Sequence, residues 1–197
     1  CESVLEDNGR IICTPGGSNG ALAALDAKTG QVVWRTKQFT DPAQYASPIV
    51  IVGAGVRQYV QLTMKSLVGI NAQNGDLLWK SDWPGQTAVI PTPVYKDGHV
   101  FIASGYGVGC KLVKLGPDNT VSDVYVNKVM KNHHGGVILL DEHLYGYSDG
   151  FGWTSQNFKS GEATWVEKEA LGKGAIAYAD GRFYLLSEKE GTVVLIA

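Results

Sequence analysis

Long apolar runs are missing from this chain. None approaches the roughly 18 residues a bilayer-spanning helix needs, so no membrane span is expected. Charge is scarce and balanced: charged residues make up 18% of the 197, and the formal net charge is -2. The longest basic cluster, Lys128 to Lys131, has two apolar residues inside it. Such a surface has no electrostatic footprint for nucleic acid. Cysteine is limited to Cys1, Cys13 and Cys110, which cannot all pair. If Asn8-Gly9 is a two-residue turn, Cys13 falls opposite Val4 and not Cys1, and no disulfide is expected there. A charged and apolar leader is missing too, and Cys1 runs straight into the strand pattern ESVLEDNGRIICT. The expectation is a chain that begins inside a repeat unit.

What the chain does have is 25 glycines and a hydrophobic fraction of 44%, enough for a sizeable core in a turn-rich all-β protein. One unit then recurs. Ala24 to Trp34 reads ALDAKTGQVVW, Gly69 to Trp79 reads GINAQNGDLLW, and Ser155 to Trp165 reads SQNFKSGEATW. Lys114 to Val124, KLGPDNTVSDV, is a decayed copy without the tryptophan. Gly30, Gly75, Thr120 and Gly161 close the turns, a spacing that belongs to propeller blades. Each copy reads as a hairpin. Asp26, Asn71 and Asn157 precede the turn, where a short polar side chain can accept hydrogen bonds from turn amides. Trp34, Trp79 and Trp165 suit packing between neighbouring blades, because they hold a fixed place in the repeat.

The pattern A-x-D-x-x-T-G-x-x-x-W resembles the tryptophan-docking motif of the quinoprotein (PQQ-like) propellers, and the resemblance covers nearly the whole chain. That superfamily includes alcohol dehydrogenases dependent on pyrroloquinoline quinone (PQQ) and non-enzymatic propellers. The resemblance implies four-stranded antiparallel blades, possible PQQ and calcium in the enzymes, and export to the periplasm or outside. The units run roughly 2–39, 45–83, 90–128, 133–169 and 173–197, so four blades and most of a fifth are expected, as part of a larger ring such as an eight-bladed one.

Alternation of the strands sorts the loops between two ends. Turns such as Asn8-Gly9 and Lys28-Thr29-Gly30 are tight and polar. The opposite end carries the longer glycine-rich loops, around Tyr106 and around Asp149 to Trp153, and a protein partner or small-molecule ligand is expected there. Asn132-His133-His134-Gly135-Gly136 leads into the innermost strand of the fourth blade. Counting back from the Asp141 to His143 turn brings Asp149 near His134, a pairing that could orient an imidazole as a base or a metal ligand, or simply line a polar rim. Lys173 holds the corresponding place in the fifth blade, as do Glu2, Tyr45 and Gln86 in the others. His99 and His143 belong to the other end, so a multi-histidine metal site is not expected. Trp153, off the repeat, is the stacking candidate.

Two functions compete. A quinoprotein-like dehydrogenase would need PQQ, a calcium ion and an acidic base. No adjacent cysteine pair of the kind those enzymes use is present. A binding or scaffold module asks for nothing the sequence lacks, and is preferred.

Overall fold

A computed structural model describes residues 2–196. Cys1, and with it any pairing it makes, lies outside the described residues. The chain is folded into five antiparallel sheets, each running in simple up-and-down order. The first holds β1 (Leu5–Asp7), β2 (Arg10–Cys13), β3 (Ala23–Asp26) and β4 (Val32–Arg35). The second holds β5 (Ile49–Gly53), β6 (Val56–Leu62), β7 (Ser66–Asn71) and β8 (Leu77–Asp82). The third comprises β9 (Val94–Lys96), β10 (His99–Ser104), β11 (Gly109–Leu115) and β12 (Val121–Asn127). In the fourth are β13 (Val137–Leu140), β14 (His143–Ser148), β15 (Gly152–Asn157) and β16 (Ala163–Glu167). Three strands make the fifth: β17 (Gly174–Ala179), β18 (Arg182–Ser187) and β19 (Val193–Ile196). This is a β-propeller fold, with four complete four-stranded blades and three strands of another.

The first turn of each blade follows from its residues. Asn8-Gly9, Asp97-Gly98 and Asp180-Gly181 all have positive φ at both positions, which Asn, Asp and Gly tolerate and which matches the twist of a hairpin. The turn expected over Asp141 to His143 is tighter, because His143 pairs with Leu140, and in the second sheet Gly53 likewise pairs with Val56. Only two residues remain in each turn, Ala54-Gly55 and Asp141-Glu142. The second turns behave alike. Asp26 Oδ1 accepts from the amides of Lys28 and Thr29 and from the Thr29 hydroxyl at 2.8 to 3.1 Å, Asn157 Oδ1 accepts from the amides of Lys159 and Ser160, and Asn71 Oδ1 from that of Gln73.

The third unit departs from the expected alignment. Thr120 does not close its turn: its φ is -67°, and the left-handed positions are Asp118 and Asn119. Gly116 and Thr120 bond across a loop one residue shorter than that between Asp26 and Gln31. The unit also keeps its aromatic. Trp34 pairs with Ala24, Trp79 with Gly69 and Trp165 with Ser155, and Tyr125 pairs with Leu112 in the same role. In all four sheets one residue just before the aromatic is skipped by the ladder, namely Val33, Leu78, Val124 and Thr164.

Cores lie between successive sheets. One cluster joins Leu62, Leu67 and Trp79 of the second to Val100, Ile102 and Val113 of the third. Trp34 lies against Gly75 of the second sheet, where a Cβ would come within 2.6 Å of the indole, and its Nε1 donates to Ala72 O at 3.3 Å. Tyr125 treats the fourth sheet in the same way, with its ring at Gly161 and its hydroxyl donating to Phe158 O at 3.0 Å. Trp79 lies in the cluster shared with the third sheet and donates instead to Gln58 Oε1 of its own sheet. Trp165 has no such seat and is 43% exposed.

The first two sheets are also joined through charge. Asp7, buried at 7% exposure, accepts from both the Nε and Nη2 of Arg57 and from the Tyr59 hydroxyl at 2.8 Å. The Arg57 guanidinium holds the Asp7 carboxyl below the usual carboxylate range against the opposing effect of burial. That stabilisation is complete above the ordinary aspartate value and is lost as pH falls through the lowered one. Arg57→Ala would leave Asp7 buried with only Tyr59. A loss of stability is expected, tempered by the exposure of Arg57, read by urea denaturation at neutral pH and shrinking on acidification.

Candidate functional site

At the loop-rich end the side chains of three sheets meet. The segment Asn132 to Gly136 leads into β13. Gly135 has φ +86° and approaches Gly174 so closely that a Cβ would collide with its carbonyl. The Ile176 amide bonds back to Gly135 O at 3.2 Å, which ties this segment to β17. Asn132 is fully buried, and its Nδ2 donates to the carbonyls of His134, Gly136 and Tyr147. It shapes the loop from below and presents nothing to a ligand through that group.

Lys173 bridges the gap. Its Nζ lies 2.8 Å from Asp149 Oδ1 and 2.8 Å from His133 Nδ1, so the ammonium donates to a carboxylate and to a neutral imidazole. Tyr106 meets the His133 ring edge-on with centroids 4.6 Å apart. Of the expected cluster, His133, Asp149, Lys173 and Tyr106 are therefore brought together. His134 is not placed with Asp149: its Nε2 lies 3.1 Å from Glu188 Oε2. The register count located Asp149 in its own sheet but could not reveal that Lys173 crosses from the next and takes the carboxylate.

Glu188 escaped the sequence reading. The signal was available, since Ser148-Asp149 and Ser187-Glu188 stand at the same point of successive units, each after a fully buried serine. Trp153 is corrected as well. It is 2% exposed, donates to Gly172 O at 3.2 Å and packs with Leu171, Phe183 and Leu185. As the second residue of β15 it points into the core, where it walls an apolar cleft of about 330 Å³ beside Trp165. Exposed aromatics at this end include Tyr45, Tyr106 and Phe151, the last with Lys131 Nζ 4.6 Å from its ring. Among the described residues, no hydrogen bond or ion pair joins Glu2, Tyr45 or Gln86 to the cluster.

Burial, the Lys173 ammonium and His134 push the His133 imidazole below its ordinary value, against the weaker pull of Asp149 and Glu188. A depressed imidazole favours the folded state above the ordinary histidine value, and the benefit is lost as pH falls through that range. NMR titration should find His133 below the free imidazole value. Lys173→Met should move it upward by removing the charge.

PQQ with calcium does not fit these residues. Asp149 is already held by an ammonium, and although Asn132 Oδ1 and Glu2 Oε2 are buried without a partner, among the described residues nothing joins Glu2 to the Asn132–Asp149 cluster. Among the described residues no three His, Cys, Asp or Glu side chains are grouped to hold a metal ion. No helix is long and apolar enough to cross a membrane.

The assembly factor BamB from Burkholderia pseudomallei (strain K96243) is 27% identical over 164 residues, which cover 80% of this chain. The chain spans 40% of the length of that relative. Among solved structures, BamB from Moraxella catarrhalis superposes with a TM-score of 0.63 at 16% identity, covering 98% of this chain and 68% of the other. Quinohemoprotein alcohol dehydrogenase from Comamonas testosteroni gives 0.61 at 14% identity, covering 98% and 42%. These structural likenesses show the propeller fold. The family model described as outer membrane protein assembly factor BamB matches residues 1–194, and the chain belongs to that family of PQQ-like repeat propellers.

Proposed function

We propose that this chain is a binding or scaffold module that engages a protein partner through its loop-rich end. The observation that carries the reading is the rim itself. His133, His134, Asp149, Lys173 and Glu188 satisfy one another across two sheets, while Tyr106 and Phe151 stand exposed at the same end. A stiff charged rim beside exposed rings suits a protein contact, where aromatic anchors supply most of the energy. The relatives' description as outer membrane protein assembly factors supports a protein partner and a location in the periplasm or outside. The share of the relative that is covered supports reading the five sheets, over the units given above, as part of a larger ring, eight-bladed as the resemblance implies. Within it, Trp34, Trp79 and Tyr125 serve to dock each outer strand onto the following blade, and Trp165 holds the same place in the repeat but lines an open cleft toward the fifth sheet.

A photo-crosslinking residue at Tyr106 or Phe151, introduced in cells, should trap one recurring protein, while the same residue at Asp180 on the opposite end should not. Equal crosslinking from all three positions would contradict the assignment of the face. Alcohol-dependent dye reduction after reconstitution with PQQ and calcium would overturn the reading altogether.

A further inference from the structure

We propose that the cleft between the first two sheets, at the tight-turn end of the molecule, is a subsite for the carboxylates of an acidic peptide segment. The cleft has a volume of about 550 Å³ and is built from the turns around Asn8 and Gly55 and from Asn71 to Gln73. Two guanidinium groups line it, one from each sheet, Arg10 of β2 and Arg57 of β6.

Neither guanidinium is used up by the fold. Arg57 spends Nε and Nη2 on Asp7, and Arg10 spends Nη1 on the carbonyls of Ala72 and Gln73. Arg57 Nη1 and the Nε and Nη2 of Arg10 have no protein acceptor among the described residues, and the same is true of the Asn8 and Gln73 side-chain amides. The cleft therefore offers a surplus of N–H donors, and what fits a surplus of donors is an acceptor anion. Planar forks favour carboxylate, which can take two parallel hydrogen bonds. Asp7 shows the geometry at work, held by one fork in that manner, and the lowering of its carboxyl by both arginines agrees with a positive local field. The charged side chains that line the cleft are two arginines and one aspartate, with Glu6 at the adjoining turn and Asp26 opposite Arg10 in the ladder, so the attraction for an acidic ligand rests on the unspent N–H donors more than on net charge. An anchored, half-buried Arg57 and a backbone-tethered Arg10 are also partly pre-ordered, which lowers the entropy cost of binding.

The test is fluorescence anisotropy of a labelled hexaglutamate peptide against the intact chain at low and high salt. Binding that weakens with salt should fall about tenfold or more in Arg10→Gln, the factor for one lost charge-assisted bond. It should tighten several-fold in Asp7→Asn, which frees the Arg57 fork. Lys37→Gln, which removes an exposed lysine beyond the far end of β4, controls for bulk charge and should leave binding unchanged. Circular dichroism melts of each variant separate loss of the site from loss of the fold. Absence of binding to the wild-type chain, equal affinity in Arg10→Gln, an equal loss in Lys37→Gln, or displacement by an equal concentration of inorganic phosphate would each overturn the proposal.

Discussion

Replacing Trp79 with alanine is expected to destabilise the protein by about 3 to 5 kcal/mol, the range for deleting a buried aromatic ring from a core that cannot fully collapse. Trp79 is 4% exposed and lies in the cluster between the second and third sheets, so its loss opens a cavity at a blade junction. It also leaves Gln58 Oε1, in a fully buried side chain, without its donor, and an unmet buried acceptor adds to the cost. Trp165→Ala provides the contrast. That ring is 43% exposed, and truncating it should cost well under half as much. Thermal unfolding of the two variants side by side checks both statements, and equal shifts in melting temperature would show that placement in the repeat, not burial, sets the cost.

Gly109→Ala should be nearly as damaging although it adds only a methyl group. Gly109 begins β11 with φ +112°, outside even the left-handed helical well, and a Cβ would strike the Asn127 carbonyl oxygen on β12. Backbone strain and a clash with backbone add, and a loss of about 2 to 4 kcal/mol is expected. Gly107→Ala isolates the first effect. It has φ +76° and open space around the new methyl, so only the left-handed penalty of about 1 to 2 kcal/mol applies. Urea midpoints at unchanged m-value measure the difference.

The repeat was legible because turn chemistry is local. An Asp or Asn before the turn and a Gly within it fold the same way wherever they occur, and three of the four copies announce themselves by those residues. The third copy misled for a related reason. Aligning on the turn placed Val124 where the aromatic belongs, whereas the strand ladder places Tyr125 there, because the hairpin is longer and its turn shorter. At the candidate site, chain order revealed which residues share an end of the molecule but not which partner each side chain takes. Asp149 and His134 belong to one unit of the repeat, yet each pairs with a residue of the next sheet, Lys173 and Glu188. Pairings across sheets depend on how far one blade is rotated against its neighbour, a quantity no local pattern encodes. Trp153 was misjudged on the same ground. Proximity to a glycine-rich loop suggested exposure, while strand alternation sends its ring inward.

The residue skipped before each outer-strand aromatic works as a phase lock. Between the skip and the turn, the third hairpin has gained two rungs over the first, through Lys114 with Ser122 and Leu115 with Val121, yet its aromatic still reaches the neighbouring blade. Lengthening both strands by two residues preserves which way every side chain faces. Insertions in this hairpin are thus tolerated in even steps on the turn side of the skip, and an odd step would reverse the segment between skip and turn while leaving the aromatic in place. The hairpin can lengthen or decay, as the third has, without loosening the junction it serves, and sequence divergence there is cheap where a change at the skip would be costly.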